Sequence, residues 1–141
     1  MSSTLTGNKN QIAVNFTEEI WDKGNLRIAD EILSKDFIDH DPVTGQLPGV
    51  EGYKQMVMEF RNAFPDLRVK NEDVIVEGNK VVVRWTAHGK HSGQLMNIQP
   101  TNKHVILKGM DILLVENNKI IERWGEFDAL GMLSQLGVLP Q

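Results

Sequence analysis

Apolar residues recur every three or four positions in the first half of the chain, the spacing that aligns them on one face of a helix. Gly24 and Asn25 interrupt the first pattern, as a left-handed C-terminal cap does, and Pro65 ends the last one. The helices predicted by these patterns span residues 8–23, 26–33 and 50–64. Between the second and third, Phe37 and Ile38 are typical of a short strand or a bend.

From residue 67 onward, apolar and polar positions alternate, which is typical of strands. The strands predicted in this way span residues 67–77, 80–89, 103–116 and 119–127, and a short helix follows them. Asn117 and Asn118 tolerate the positive φ of a two-residue hairpin turn between the last two strands. Gly109 is where we expect the third of these strands to bulge or bend.

Helices followed by a run of strands predict an α+β fold rather than a sheet of alternating strands and helices. We expect a strongly curved antiparallel sheet with about three N-terminal helices on its concave face. A short C-terminal helix completes the fold, which should enclose an apolar pocket. Residues 1–7 are predicted to be a flexible N-terminus, and residues 8–141 a single domain.

The composition narrows the classes of protein that the chain can be. Its net charge of −4 argues against a general nucleic-acid or anionic-membrane surface, so neither partner is expected. The absence of cysteine excludes disulfides, thiolate nucleophiles and zinc-thiolate sites. No apolar run approaches the roughly 18 residues of a membrane span, and the polar start lacks the apolar segment of a secretory signal. A cytoplasmic protein is therefore expected.

Two carboxylates interrupt the last two strands, where a strand has little structural reason to carry one. Asp111 lies inside the apolar run of residues 110 to 115, and Asp128 directly follows the last strand. Asp128 could simply cap the final helix, and Asp111 could point to solvent or be a satisfied buried acid. Alternatively, one or both line a pocket, where apolar walls raise the pKa of a carboxyl group and suit it to acid/base work near neutral pH.

The triplet Asp39-His40-Asp41 precedes a proline and is the other conspicuous polar cluster. It could form an acid/base pair or bind a metal, or it could be an Asp-Pro surface turn. The remaining histidines are scattered, so no metal site is expected. The glycine-rich motifs that bind nucleotide phosphates are also missing, and no cofactor is expected.

Several other side chains could contribute to a pocket. Arg84 and His88 share one face of a predicted strand and could point into a cavity, although a solvated strand face is the alternative. The aromatic and large apolar residues that could line the pocket are Phe16, Tyr53, Trp85, Met110 and Trp124.

Several segments together resemble one known family. They are DHDP at 39–42, PGVEGYK at 48–54, AFPDLR at 63–68, VVVRWTAHGKHSG at 81–93 and GMDILLVENNKIIERWGEFDALGMLSQLG at 109–137. The chain is similar to the SnoaL-like polyketide cyclases, also called ester cyclases, within the superfamily named for nuclear transport factor 2. The resemblance covers roughly residues 8 to 137 and implies a cystatin-like α+β cone, a fold that hosts both enzymes and plain binding proteins.

The resemblance also implies an activity and a site. In cyclases of this family, the general acid/base is an aspartate four residues after the tryptophan of the last strand, and Asp128 matches it relative to Trp124. Asp128 is therefore expected to be the principal acid/base, and Asp111 a buried acid that donates a hydrogen bond to an oxyanion. The reaction is the intramolecular aldol closure of a polyketide ester without metal or cofactor. The expected ligand is therefore a small apolar carbonyl or ester compound. The resemblance further implies a homodimer that pairs through the sheet.

Ketosteroid isomerase shares this fold and provides a second comparison. Its general base lies in an Asp-Pro-Val loop similar to Asp41-Pro42-Val43, and its protonated aspartate lies at a place like that of Asp111. The tyrosine of its first helix has no counterpart, because the only tyrosine is Tyr53 on the third predicted helix. Three hypotheses follow: a cyclase-type acid/base enzyme, a non-catalytic module that binds a small apolar ligand or dimerises, and an isomerase.

Overall fold

The computed structural model of the chain describes residues 8–139. The predicted flexible N-terminus at residues 1–7 lies outside the described residues. The helices are α1 (Lys9–Asn15), α2 (Leu26–Ile32), α3 (Gly49–Ala63) and α4 (Ala129–Leu136), and a π-helical segment, Phe16–Asp22, continues α1. The strands are β1 (Leu33–Asp39), β2 (Arg68–Glu77), β3 (Lys80–Lys90), β4 (His104–Glu116) and β5 (Lys119–Phe127).

The first helical segment begins and ends where the sequence predicts. Asn8 caps α1 by accepting a 2.7 Å hydrogen bond from the backbone N–H of Gln11, and Gly24 follows the segment with a φ of 71°. Inside it, the backbone N–H of Lys23 donates to the carbonyl of Glu18, five residues earlier, at 3.1 Å. The apolar spacing did not predict this wider π-helical turn.

Five strands form one mixed sheet in the order β1-β5-β4-β3-β2. The strands from β2 to β5 pair antiparallel in succession, as predicted, whereas β1 pairs with β5 in parallel. The prediction of a purely antiparallel sheet was therefore wrong at this edge. Parallel pairing needs a long connection, and α3 with three strands separates β1 from β5 along the chain. The predicted α+β cone is otherwise confirmed.

The irregularity expected at Gly109 lies elsewhere. The registers of β4 with both neighbours pass through Gly109 without a shift, and the shift falls between Leu114 and Val115. Gly109 instead makes room for a side chain, because a Cβ there would collide with the indole of Trp85. The bulge also turns Ile120 inward, where it is fully buried opposite Val115.

The hydrophobic core lies between the inner face of the sheet and the helices. The buried residues of α3 follow the predicted apolar stripe and include Tyr53, Met56, Val57 and Phe60. On β3 the alternation also holds, since Val81, Val83 and Ala87 are buried. Across residues 8–139, no helix combines the length and apolar character needed to cross a membrane.

Candidate active site

A cavity of about 580 Å³ lies between the inner face of the sheet and the helices. Its wall is mainly apolar, and the predicted pocket residues Phe16, Tyr53 and Trp85 lie in it. Among residues 8–139, the charged residues that contribute atoms to this wall are Asp41, Asp111, Arg123 and Glu126. A cavity of this size with a few polar groups in an apolar wall is typical of a small-molecule site.

Asp111 is the most deeply buried carboxyl group of this wall. It lies on the inner face of β4 with only 5% of its surface exposed. The indole N–H of Trp85 donates to its Oδ2 at 3.0 Å, and Arg123 Nε donates to its Oδ1 at 2.9 Å. The ion pair also brings Nη2 of Arg123 to 2.8 Å from the same oxygen. Burial raises the pKa of Asp111, and the hydrogen bonds from Arg123 and Trp85 oppose that rise.

Arg123 is shared between two buried carboxylates. On the side away from Asp111, its Nη1 donates to Oδ1 of Asp39 at 2.7 Å. Burial works against the charged guanidinium, but Tyr53, Asp111 and Asp39 outweigh it and raise the pKa of Arg123. One cation thus faces two carboxylates, which leaves one excess negative charge if both are ionised. The charge of Asp39 also raises the pKa of Asp111.

The strand alternation divides the triplet Asp39-His40-Asp41 between the two faces of the sheet. Asp39 points inward to Arg123 and also accepts a 2.9 Å hydrogen bond from Gln46 Nε2. Asp41 lines the cavity, and its Oδ2 accepts from the backbone N–H of Gly125 at 2.9 Å. The two aspartates therefore reach one site. Among residues 8–139, no three His, Asp or Glu side chains cluster closely enough to hold a metal ion.

His40, the middle residue of the triplet, lies on the outer face, so the possible site role considered for it does not hold. Its ring stacks on Trp124 with the centroids 4.6 Å apart and the planes 8° apart. Its Nε2 lies 2.6 Å from Oε1 of Glu122. Trp124 is thus covered by His40 outside the sheet, and its predicted place in the pocket wall was also wrong.

Three further predicted site residues lie on the same outer face. Met110 is 53% exposed, because Asp111 next to it points inward and successive strand residues face opposite sides. Arg84 forms an exposed ion pair with Asp73, with Nε and Oδ2 2.6 Å apart. His88 is exposed, and its ring centroid is 5.4 Å from that of His104. The predicted place of Met110 in the pocket wall was therefore wrong, and for Arg84 and His88 the alternative of a solvated strand face holds.

Glycine at position 125 makes the buried ion pair possible. Gly125 pairs with Asp111 across β4 and β5. A Cβ at this position would overlap Oδ1 of Asp111 and Nη2 of Arg123. The sequence therefore leaves open the space that the carboxylate and guanidinium occupy.

Asp128 lies beside the cavity but does not line it. It is exposed, and its Oδ1 accepts a 2.8 Å hydrogen bond from the backbone N–H of Gly131, which caps α4. Its neighbours Phe127 and Ala129 do lie in the cavity wall. The structural alternative foreseen for Asp128, a helix cap, is thus present, and its acid/base role stays a prediction.

Sequence reasoning missed Arg123 as the centre of the site. The available signal was its place on a strand face shared with Ile121, Gly125 and Phe127, where a cation needs a partner. Trp21 was missed as well. Its indole N–H donates to the hydroxyl of Tyr53 at 3.0 Å, and both residues line the cavity.

The comparisons with known proteins agree with this architecture. The model of the SnoaL-like polyketide cyclase family matches residues 11–136. No curated protein matches the chain.

Solved structures of similar proteins come from several bacteria. A candidate polyketide cyclase from Bacillus cereus is 30% identical, with a TM-score of 0.81 over 92% of this chain and 80% of that one. TsrD from Streptomyces laurentii is 28% identical, with a TM-score of 0.83 over 92% of this chain and 94% of that one. IdmH from Streptomyces antibioticus, a candidate polyketide cyclase, is 27% identical, with a TM-score of 0.78 over 93% of this chain and 100% of that one.

Proposed function

The chain belongs to the SnoaL-like polyketide cyclase family, and we propose that it is a cofactor-independent acid/base enzyme of the cyclase type. Its substrate is a small, largely apolar carbonyl or ester compound that closes on itself by aldol chemistry. One observation carries this proposal: the carboxyl group of Asp111 is buried in the wall of an apolar cavity of about 580 Å³ and is held there by Arg123 and Trp85.

The proposed reaction needs one group that first accepts and then returns a proton. The carboxylate of Asp111 removes a proton from a carbon next to a carbonyl group, which leaves an enolate. The enolate carbon attacks a second carbonyl of the same molecule and forms the new carbon–carbon bond. The resulting alkoxide takes the proton back from Asp111 and becomes a hydroxyl group. Atoms and charges balance, so no oxidant, reductant or co-substrate is required.

The surroundings of Asp111 favour this role. The apolar wall and the nearby charge of Asp39 raise its pKa, which brings its proton affinity closer to that of a carbonyl-activated carbon. Trp85 and Arg123 hold its two oxygens in fixed directions. We propose that the carboxyl is thereby oriented toward the substrate before the substrate arrives, which lowers the cost of reaching the transition state.

The charge of the site favours a neutral substrate. In the part of the chain that the structure describes, Asp39, Asp41 and Asp111 accompany Arg123 as the one cation of the site, and Asp41 and Asp111 both line the cavity. A carboxylate ligand would enter against this negative charge, whereas an ester would not. We therefore propose that the enzyme accepts esters or ketones in preference to the corresponding free acids.

Methyl levulinate and levulinate form a matched ester and acid pair for testing this proposal. Both carry carbon-bound protons beside a ketone, and deuterium incorporation in heavy water reports their removal by NMR. We expect the wild-type protein to accelerate exchange of the ester over buffer and to exchange the acid at least about tenfold more slowly. No acceleration with the ester would reject the enzyme and favour the non-catalytic binding module. Equal rates for the two compounds would reject the proposed charge selection.

We also propose that two copies of the chain pair through the outer face of the sheet. This face exposes apolar side chains on β2 and β4, the two strands that flank β3, with Ile75 58%, Ile106 49% and Met110 53% accessible. Such a patch is typical of an interaction surface. Light scattering after size exclusion should give a dimer mass for the wild type and a monomer mass for Met110→Lys. A monomeric wild type at high concentration would contradict this pairing.

A further inference from the structure

Tyr53 is a buried polar residue of the cavity wall, and the reaction proposed for Asp111 does not use it. It is 1% exposed, and it lies in the cavity wall. Aromatic neighbours fix its ring, with Phe16 at 5.7 Å and Phe37 at 5.6 Å between centroids. The side chain therefore has little freedom to turn away from the cavity.

The hydroxyl of Tyr53 accepts one hydrogen bond and has its own proton left to donate. The indole N–H of Trp21 donates to this oxygen at 3.0 Å. Among residues 8–139, no side chain or carbonyl accepts the phenolic proton in return. A phenol that accepts one hydrogen bond becomes a stronger donor in the other direction.

The charged groups near Tyr53 are Arg123 and Asp111, and the Tyr53 hydroxyl beside them is a neutral hydrogen-bond donor. The guanidinium of Arg123 lies 5.8 Å from the centroid of the Tyr53 ring and is hydrogen-bonded to Asp111. Burial raises the pKa of the Tyr53 hydroxyl, so it keeps its proton at any ordinary pH. Arg123 thus lies next to both the donor and the acid, which puts Tyr53 and Asp111 at the same part of the cavity.

We propose that the Tyr53 hydroxyl donates a hydrogen bond to the carbonyl oxygen of the bound substrate, and that Trp21 is a positioning residue that fixes the direction of this donor. The inference rests on the proposed function, because it assumes a carbonyl ligand in the cavity. During proton removal, negative charge develops on this oxygen, and the Tyr53 hydrogen bond strengthens as it does. Tyr53 thereby complements Asp111: one group takes the proton while the other stabilises the enolate oxygen.

Acetophenone and α-methylstyrene test the donor directly, because they have nearly the same shape and only acetophenone has a carbonyl oxygen. Acetophenone labelled with carbon-13 at the carbonyl shows a downfield NMR shift when that oxygen accepts a hydrogen bond. We expect a downfield shift on binding to wild type that is largely lost in Tyr53→Phe. Acetophenone affinity should fall by about fivefold in that variant, while α-methylstyrene affinity stays unchanged.

Two further variants separate the roles. Thr17→Val removes another buried hydroxyl of the same wall and should leave the carbonyl shift of bound acetophenone intact. Trp21→Phe keeps an aromatic ring but removes the orienting N–H. It should therefore reduce the carbonyl shift of bound acetophenone while the affinity for α-methylstyrene stays close to that of wild type. A shift that survives Tyr53→Phe, or one that disappears in Thr17→Val, would overturn the role of Tyr53. An unchanged shift in Trp21→Phe would overturn the role of Trp21.

The same probes distinguish failure of this inference from failure of the proposed function. If both probes bind but the carbonyl shift does not depend on Tyr53, the donor is wrong and the cavity can still bind substrate. If neither probe binds the wild type, the cavity is not a site for small apolar ligands, and both the proposed function and the role of Tyr53 are rejected.

Discussion

Asp111 and Asp128 lie near the two ends of the same short stretch of chain, yet the structure gives them opposite surroundings. Asp111 is 5% exposed and is held by side chains from two other strand positions, Trp85 and Arg123. Asp128 is exposed and is held by a backbone N–H three residues ahead of it, that of Gly131. The first carboxylate depends on tertiary contacts, whereas the second depends on local ones.

This difference decides what each residue can do. A buried carboxyl group has a perturbed pKa, and its burial lowers the free energy of unfolding unless hydrogen bonds and ion pairs offset the loss of hydration. Carboxyl groups of this kind are frequent at catalytic sites. A helix cap stabilises its own helix by about 1 kcal/mol and needs no cavity. Two aspartates of similar sequence context can therefore have separate roles, and the contact with Arg123 is what separates them.

The largest effect is expected from removing the shared cation. Arg123→Met leaves the buried carboxylates of Asp39 and Asp111 without a counterion, and it should lower the free energy of unfolding by about 3–5 kcal/mol. Urea denaturation near neutral pH measures this loss. A change below about 1 kcal/mol would show that Asp39, Asp111 and Arg123 do not stabilise the fold as an ion-pair network. Asp111 would then depend on tertiary contacts no more than Asp128 does.

Two glycines provide a matched pair for the next largest effect. Gly125→Ala places a Cβ into the space of the Asp111–Arg123 pair and should cost about 1–3 kcal/mol. Gly131→Ala meets only the exposed side chain of Asp128. There, the gain from replacing a helical glycine and the loss of the cap should cancel to within about 1 kcal/mol. Equal costs in thermal unfolding would mean that the two carboxylates are equally constrained.

A smaller effect is expected at the helix cap itself. Asp128→Ala should lower the stability by about 1 kcal/mol, while Asp128→Asn, which preserves a capping side chain, should be nearly neutral. Chemical denaturation of both variants checks this order. A loss as large as that of Arg123→Met would show that Asp128 has partners beyond the Gly131 N–H.

A dependence of stability on pH is also expected to originate at Asp111. Its pKa is raised above the ordinary 3.8 in the folded state, so the folded protein binds this proton more tightly than the unfolded chain. The stability of wild type relative to Asp111→Asn should therefore fall as pH rises from about 4, with a slope of at most about 1.4 kcal/mol per pH unit. A difference that rises with pH over this range would mean that Arg123 outweighs burial and lowers the pKa of Asp111.

Much of the fold could be predicted from local patterns. The helix at α3, the strand alternation on β3 and the turn at Asn117 and Asn118, both with positive φ, follow from spacing and turn chemistry. The parallel pairing of β1 with β5 could not be predicted in this way, because it joins strands that are distant in the sequence. The π-helical turn after α1 also gives no signal in apolar spacing.

The site was harder to predict because the inner face of β5 carries a cation and a glycine, while its outer face carries Trp124. A large aromatic residue is expected inside, and an arginine outside. The reverse holds here, since Arg123 pairs with Asp111, 12 residues away, and with Asp39, 84 residues away. Only the assembled sheet brings these three side chains together, so the sequence could identify the acids but not their shared partner.

Deuterium incorporation into methyl levulinate by Asp111→Asn and Asp128→Asn, with wild type as the reference, shows which of the two carboxyl groups removes the proton. Both changes replace a carboxylate by an amide of the same shape, and circular dichroism establishes that each variant is folded. We expect Asp111→Asn to slow exchange by about 100-fold or more, whereas Asp128→Asn should stay within about threefold of wild type. Loss of exchange in Asp128→Asn with retention in Asp111→Asn would contradict this expectation and assign the acid/base role to the residue that caps α4.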